Sequence, residues 1–447
     1  MAQILDPLSL LGDLVSRARR AGADQADAIL FDGVSLSHAQ RLGKVEKLER
    51  AEGFDLGLRV IIGKRQAMVS SNDRDAKNLE AVITRAIEMA KTVPEDPYCG
   101  LADPADLAKN FPALDLEDPS EPTPETLRQR AAAAEDAARA IPGITNSEGA
   151  QASWARSHVA LVTSNGFSGS YGGTGHSVAV AVLAGEGTAM ERDDDYDSAV
   201  HGKDLKDPAA IGRSAGERTM ARLHSRKVAT AKVPVIYDPR ISASLLRHLV
   251  GAISGPSITR GTSFLKDKLG TRIFPAGTTI VDDPHIKRGH RSVPFDGEGV
   301  ANRRRSLVED GVLQTWLLDL ASARQLKLHT TGHAARGPSG PPGPSPTNLH
   351  LAAGAVTREE LIGDIDRGLL VTELMGMGVN GVTGDYSRGA AGFWIENGQL
   401  AYPVSEITIA GNLKEMFLHL TAANDLEFRH GIDAPSLRID GMTVAGA

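Results

Sequence analysis

The spacing of apolar residues changes along the chain, and with it the predicted elements. Leu10, Leu11, Leu14, Val15 and Ala18 recur at helical spacing before Gly22, with Asp6 placed to cap the helix and Pro7 suited to its first turn. Strand-like stretches follow at residues 27–38, 44–49, 56–62 and 66–70. Their close spacing predicts antiparallel hairpins, not strand–helix–strand units. Leu79, Val82, Ile83, Ala86 and Ile87 share one face of a helix predicted to start at Asn72 and to run to Ala90. Between Val93 and Pro124, prolines and acids break every period, which predicts a long surface crossing. Thr123-Pro124-Glu125 then opens an alanine-rich helix reaching Ile141. Strands resume at residues 157–164 and 177–183 around an Asn165-Gly166 turn, and a helix from Pro208 to about Leu223 closes this half.

A composition shift at residues 227–232 divides the chain into an N-terminal domain, 1–228, and a C-terminal domain, 229–447. Beyond it, residues 233–237 form a short strand. Asp238-Pro239 starts a helix on which Ile241, Leu245, Leu249 and Ile253 stack. Asp310-Gly311 and Asn397-Gly398 each sit between strand-like residues and predict tight hairpin turns. Thr357 and Glu360 form a capping box. Asn412 is read as the start of a last long helix through Ala423. The run Gly337 to Pro346 is too rich in Gly and Pro for a ladder or a helix, and predicts a mobile loop. Elements are grouped more than alternated. The fold class is therefore α+β: antiparallel strands with flanking helices first, then a mostly β domain of packed or barrel-like sheets with a few helices.

Composition narrows the compartment and partners. The 447 residues carry 49 Lys+Arg and 56 Asp+Glu, a net charge of −7, which argues against a strongly basic nucleic-acid coat. The single cysteine, Cys99, permits no internal disulfide and no Cys-rich zinc module, and fits a reducing, cytoplasmic setting. Asp13 interrupts the only early apolar stretch, so residues 1–20 do not read as a signal peptide. The most apolar run, residues 178–184, is far short of the ~20 a membrane helix needs.

Common catalytic signatures are missing. There is no Gly-x-Ser-x-Gly elbow, and no Gly-Lys pair is followed by Ser or Thr as a phosphate loop requires. Gly376, Gly378 and Gly381 match a dinucleotide fingerprint, but residues 383–389 after them cannot present a helix N-terminus to a pyrophosphate. His329 and His333 have the spacing of a helical zinc pair, without helix formers between them. Asp282, Asp283, His285 and His290 are dense in possible ligands, yet a solvated loop opened by Pro284 is the plainer account. Asp193-Asp194-Asp195 reads as a charged turn, and Arg303-Arg304-Arg305 as surface.

Longer motifs carry a resemblance. Residues 382–396 (Val-Thr-Gly-Asp-Tyr-Ser-Arg-Gly-Ala-Ala-Gly-Phe-Trp-Ile-Glu) resemble the signature of the PmbA (TldE) branch of the TldD/PmbA family, as do residues 403–413, 294–300 and 330–334. The resemblance implies a cytoplasmic metallopeptidase system in which two homologous subunits pair and act on unfolded peptides; an older family name is modulator of DNA gyrase. In the catalytic branch a helix carries His-Glu-x-x-x-His, and a distant Cys completes a zinc site. The matching helix here places Arg247 at the first ligand, His248 at the Glu and Ala252 at the second His, with Cys99 not positioned to serve as the thiolate. Arginine keeps its proton and offers no lone pair, and alanine has no donor. A catalytic zinc needs three protein ligands and a base beside its water.

The resemblance therefore implies a non-catalytic subunit that contains no cofactor, with zinc expected only in a TldD-type partner subunit. The partners it implies are that subunit and an extended peptide, with a homodimer possible and neither membrane nor nucleic acid expected. Candidate cleft residues are Arg247, His248, Asn348 and Glu406. Two alternatives stay open: an independently active hydrolase using another site, and, ranked last, a DNA-associated regulator.

Overall fold

The computed structural model describes residues 6–446; the apolar start at residues 1–5 lies outside them. The N-terminal half contains α1 (Pro7–Arg20), β1 (Gln25–Arg41), β2 (Lys44–Ile62), β3 (Arg65–Ser71), α2 (Ala76–Thr92), α3 (Pro124–Arg139), β4 (Ile144–Thr163), β5 (Ser168–Ala184), β6 (Glu191–Ala199) and α4 (Pro208–Ala221). Its six strands form one antiparallel sheet in the order β3-β2-β1-β4-β5-β6.

Strand alternation gives this sheet two buried faces with different partners. Ala28, Leu30, Ala160 and Val162 point to α1 and α2, and farther along Leu36, Trp154 and Val180 point to α3 and α4. Their neighbours Ile29 and Leu161 point the other way, where Phe167, Phe295, Val300 and Leu320 join them. Both halves of the chain supply that second layer, so the sheet is the wall against which the C-terminal half packs.

The C-terminal half contains β7 (Ala231–Tyr237), α5 (Pro239–Ile253), α6 (Gly255–Thr259), β8 (Ile280–Asp283), β9 (Arg305–Glu309), β10 (Val312–Leu313), α7 (Leu320–Leu326), β11 (Ala334–Ala335), β12 (Gly343–Pro344) and β13 (Asn348–Leu351). It continues with α8 (Arg358–Gly363), β14 (Arg367–Val379), β15 (Asp385–Glu396), β16 (Gln399–Asn412), α9 (Leu413–Leu418), β17 (Leu420–Ala422), β18 (Ile432–Asp433) and β19 (Leu437–Ala445). The run β16-β15-β14-β7-β19 closes on itself because β16 also pairs with β19. A second sheet, β10-β9-β8-β13-β18, lies beside this barrel. Leu245, Leu246, Leu249 and Ile253 of α5 enter the large core with Tyr237, Val371 and Trp394. The architecture is α+β, with an antiparallel first sheet and a barrel-like second half. Among the described residues no helix is long and apolar enough to cross a membrane.

Several local expectations are corrected. Residues 44–49 and 56–62 are one strand, because β2 pairs along nearly the whole of β1 even where its side chains are exposed. Asp75, not Asn72, caps α2 by accepting from the Lys77 amide at 2.8 Å. Residues 93–123 contain no helix or strand, but they bury Leu101, Ala102, Leu107 and Leu114. The acidic triplet at 193–195 lies in β6 and is not a turn. The helix after Asn412 stops at Leu418, where the chain leaves to pair as β17 with β19. The Gly/Pro-rich run forms a small ladder, with β12 pairing β11. The run is also seated tightly: a Cβ added to Gly57 of β2 would lie 2.1 Å from the Pro338 carbonyl oxygen.

Candidate functional site

The site is built on α5, which starts where β7 leaves the barrel. Asp238 caps the helix, accepting from the Arg240 amide at 3.1 Å, and Pro239 fills its first turn. Burying Leu245, Leu246, Leu249 and Ile253 turns Arg247 and Gly251 to the surface and leaves Ser244 and His248 part-way out. Two cavities share Arg247 and Arg388. The larger, about 460 Å³, lies between the halves: Tyr196 of β6 and Arg218 of α4 face Arg240, Ser244 and Arg247 of α5 and Arg358 of α8. The smaller, about 290 Å³, runs along the end of α5 past His248, Ala252, Phe264 and Met377.

Most of the arginines here are neutralised by neighbouring carboxylates. Arg240 holds Asp193 at 3.1 Å and Asp238 at 3.3 Å, Arg358 holds Asp238 at 2.9 Å, and Arg218 holds Asp195 at 3.0 Å. Arg247 and Arg388 are different: among the described residues neither has a carboxylate within salt-bridge distance, and Arg388 donates only to the Met375 carbonyl, at 3.2 Å. Burial raises the Tyr196 phenol, and the Arg247 charge pulls against that rise. Tyr196 stacks on His430, with ring centroids 4.9 Å apart, and so stiffens the opposite wall.

Uncharged hydrogen-bonding groups are also left over. The Ser244 hydroxyl and His248 Nε2 are buried without a partner, one helical turn apart on the same face. His248 packs edge-on to Tyr386, with centroids 5.8 Å apart. Burial, helped by Arg388, lowers its pKa, so the ring is neutral at neutral pH and offers one donor and one acceptor. Together these groups form a cleft in which α5 supplies one cation without a carboxylate partner and two free polar atoms, and β15 supplies a second such cation. That pattern suits an extended backbone or a carboxylate.

The zinc implied by the resemblance does not fit these residues. Arg247 supplies a charge of the wrong sign, Ala252 supplies a methyl, and His248 is a lone imidazole. Cys99 is buried in the N-terminal half beside Ile61 and Leu101. Among the described residues no three His, Cys, Asp or Glu side chains are grouped so that they could hold a metal ion.

Arg247 and His248 are thus brought together, while the other two candidates lie elsewhere. Asn348 is 3% exposed at the start of β13; its Oδ1 accepts from the Arg291 amide at 3.0 Å, and its Nδ2 donates to the Asp283 carbonyl and to Ser292 Oγ, each at 2.8 Å. It fastens a loop outside the cleft. Glu406 is exposed at a bulge of β16, with φ +51°, and pairs with Lys227 at 2.9 Å. Asp282 is fully buried and not in a solvated loop: it accepts from Thr347 N at 2.7 Å and meets His333 Nε2 at 3.1 Å. His329 stays exposed in a loop, and the arginine triplet places Arg303 and Arg304 at the surface. Sequence reasoning missed Ser244, Tyr196 and Arg388. Arg388 lay inside the quoted 382–396 stretch, two residues beyond Tyr386 and so on the same strand face.

Three family profiles match the chain: PmbA/TldA metallopeptidase domain 1 over residues 26–90, the central domain over 117–223 and the C-terminal domain over 230–446. It is similar to Metalloprotease PmbA of Escherichia coli O157:H7, 39% identical over 451 residues and covering 100% of this chain and 98% of that one. A Metalloprotease PmbA homolog of Haemophilus influenzae is 35% identical, covering 97% and 94%. A crystal structure from Bacteroides thetaiotaomicron VPI-5482, named as a modulator of DNA gyrase, superposes with TM-score 0.90 at 30% identity, covering 98% of each chain. TldE from Thermococcus kodakarensis shares the fold, with TM-score 0.86 at 21% identity over 98% of this chain and 100% of that one.

Proposed function

The chain belongs to the PmbA/TldD metallopeptidase family, and on that premise we propose that it is the PmbA/TldE-type subunit of a two-subunit peptidase. In this reading it holds an extended, unfolded peptide in the α5 cleft while a TldD-type subunit supplies the metal and the hydrolytic step. The observation that carries the reading is Arg247: a guanidinium exposed in the cleft, without a carboxylate partner among the described residues; the resemblance sets it at the position where the catalytic branch has a ligand. A peptide carbonyl or carboxylate accepts from Arg247 and Arg388, and Ser244 Oγ and His248 Nε2 take up backbone groups beside them. His248 is the one neutral imidazole among these groups, and in this reading the chain's part is to bind and orient.

The test combines assembly and binding. Mixed with a TldD-type subunit at micromolar concentration, the chain is expected to co-elute as a larger complex. A fluorescent unstructured peptide should bind it, and Arg247→Ala should weaken that binding about tenfold, the worth of a hydrogen bond to a charged group, with folding unchanged. Stoichiometric transition metal in the isolated chain, or chelator-sensitive peptide cleavage by it alone, would overturn the reading in favour of an autonomous hydrolase.

A further inference from the structure

We propose that the seam between the two halves contains a second binding site, sharing no lining residue with the α5 cleft, for a carboxylate attached to an apolar body. The alternation of β1 and β4 places Ile29, Phe31, Val159 and Leu161 on the sheet face turned away from the helices. With Tyr171 and Phe295, whose rings meet edge to face at 5.4 Å, they wall a cavity of about 330 Å³. That volume lies within the range of small-molecule pockets.

Most polar groups on the wall are already engaged. His333 contacts Asp282 at 3.1 Å and Thr331 Oγ1 at 2.8 Å. Asp296 accepts from the amides of Glu298, Val300 and Ala334. Arg291 donates to Ser345 Oγ and to the carbonyls of Pro346 and Thr347. Arg336 is the exception. The residue lines the cavity and its side chain is 0% exposed; one Nη donates to Asp27, while Nε and the other Nη have no partner.

Charge counting points the same way. Asp27 also accepts from Arg59 at 2.8 and 2.5 Å, so two buried guanidiniums share one carboxylate. Glu298, the other acid near Arg59, does not supply the missing charge at neutral pH, because burial and the neighbouring Asp296 push it up to about 8. A ligand carboxylate accepting from Nε and the free Nη of Arg336 satisfies both donors in the two-pronged geometry arginine favours, while the Asp296 charge on the same wall stays on its three amides. The aliphatic and aromatic wall gives nothing to a bare hydrated anion. It favours an acid with an apolar side chain, either free or as the C-terminal residue of a peptide.

The test is calorimetric titration of the full chain with 3-phenylpropanoate, with its uncharged amide and with the tripeptide Ala-Ala-Phe. The acid is expected to bind, and the amide at least about tenfold more weakly, the size of one lost charge-assisted contact. Binding of Ala-Ala-Phe identifies a peptide terminus as the source, and its failure beside a binding acid identifies a free acid. Arg336→Lys keeps a cation beside Asp27 but removes the planar fork, and Val159→Phe fills the cavity without touching Arg336; each should abolish the heat. No binding by either acid, equal binding by the amide, or undiminished binding in both variants would overturn the proposal.

Discussion

Replacing Asp27 by Asn tests how the two halves are joined. Asp27 is 1% exposed on β1. It takes Arg59 of the adjacent strand through Nε and Nη2, and Arg336 from the segment after β11. Burial by itself would raise the pKa of its carboxyl group; the Arg336 and Arg59 charges outweigh burial and hold it below the ordinary 3.8. The Asn side chain keeps the shape and removes the charge, leaving two buried guanidiniums with one amide oxygen between them. Breaking a buried ion pair from one side costs about 3–5 kcal/mol, a large part of the ~5–15 kcal/mol that holds a typical fold. Two stranded cations put the expected loss at the upper end of that range. With a urea dependence of about 3 kcal/mol per molar, the unfolding midpoint at pH 7 should fall by roughly 1.5 M. The pH dependence has a definite sign. A depressed folded-state pKa gives stability that is present above 3.8 and lost as pH falls through the folded value, so the gap between the two proteins should close in acid. A loss under about 1 kcal/mol at pH 7, or a gap that widens in acid, would refute the reasoning.

Three further outcomes are expected. Gly57→Ala should lower the thermal midpoint by an amount equivalent to about 1–3 kcal/mol, because the new methyl meets the Pro338 carbonyl at 2.1 Å and the loop must move. Thr357→Ala removes the hydroxyl that accepts from the Glu360 amide at 3.1 Å and should cost about 1 kcal/mol in a denaturant titration. Glu298→Gln keeps an oxygen for the Leu320 amide but has no proton to lose. Since burial raises Glu298 to about 8, its contribution in the native protein is full below the unfolded value near 4.5 and drains as pH rises toward 8. The variant should therefore show a flatter melting-temperature profile between pH 5 and pH 8 than the native chain.

Local patterns were legible where one short-range rule decides. The caps at Asp6, Thr123 and Asp238, the capping box at Thr357 and the turns at Asp310-Gly311 and Asn397-Gly398 all stand where spacing put them. Prediction failed where a distant partner decides. Nothing near Asp193 announces that it lies in a strand, because its reason for being there is Arg240, 47 residues away in another element. Residues 50–55 of β2 are too polar to read as strand, yet β1 supplies their ladder. Leu413 to Leu418 continues a helical pattern that β19 cuts short by pairing with Leu420. The site divides in the same way. Arg247 and His248 are neighbours on one helix and could be found together, whereas Asn348 and Glu406 stand on β13 and β16, which no local spacing relates to α5.

The acids of β6 explain why the cleft has the free charge it has. Arg222 bridges Asp193 at 3.6 Å and Glu373 at 2.6 Å, so a residue just after α4 ties β6 to β14 of the barrel. Arg240 ties the same Asp193 to the first turn of α5. These contacts are part-buried, where an ion pair needs good geometry to offset its desolvation; Arg240 reaches two carboxylates and Arg222 three, Glu191 being the third. Together with the Arg218–Asp195 pair they hold β6 against the start of α5, and they occupy Asp193 and Asp195 of β6 and the Asp238 cap. Farther along α5, among the described residues, no acid remains within salt-bridge reach of Arg247, and the Arg388 side chain donates only to the Met375 carbonyl. The scaffold's own ion pairs thus end before Arg247, and the positive charge beyond that point has no carboxylate among the described residues.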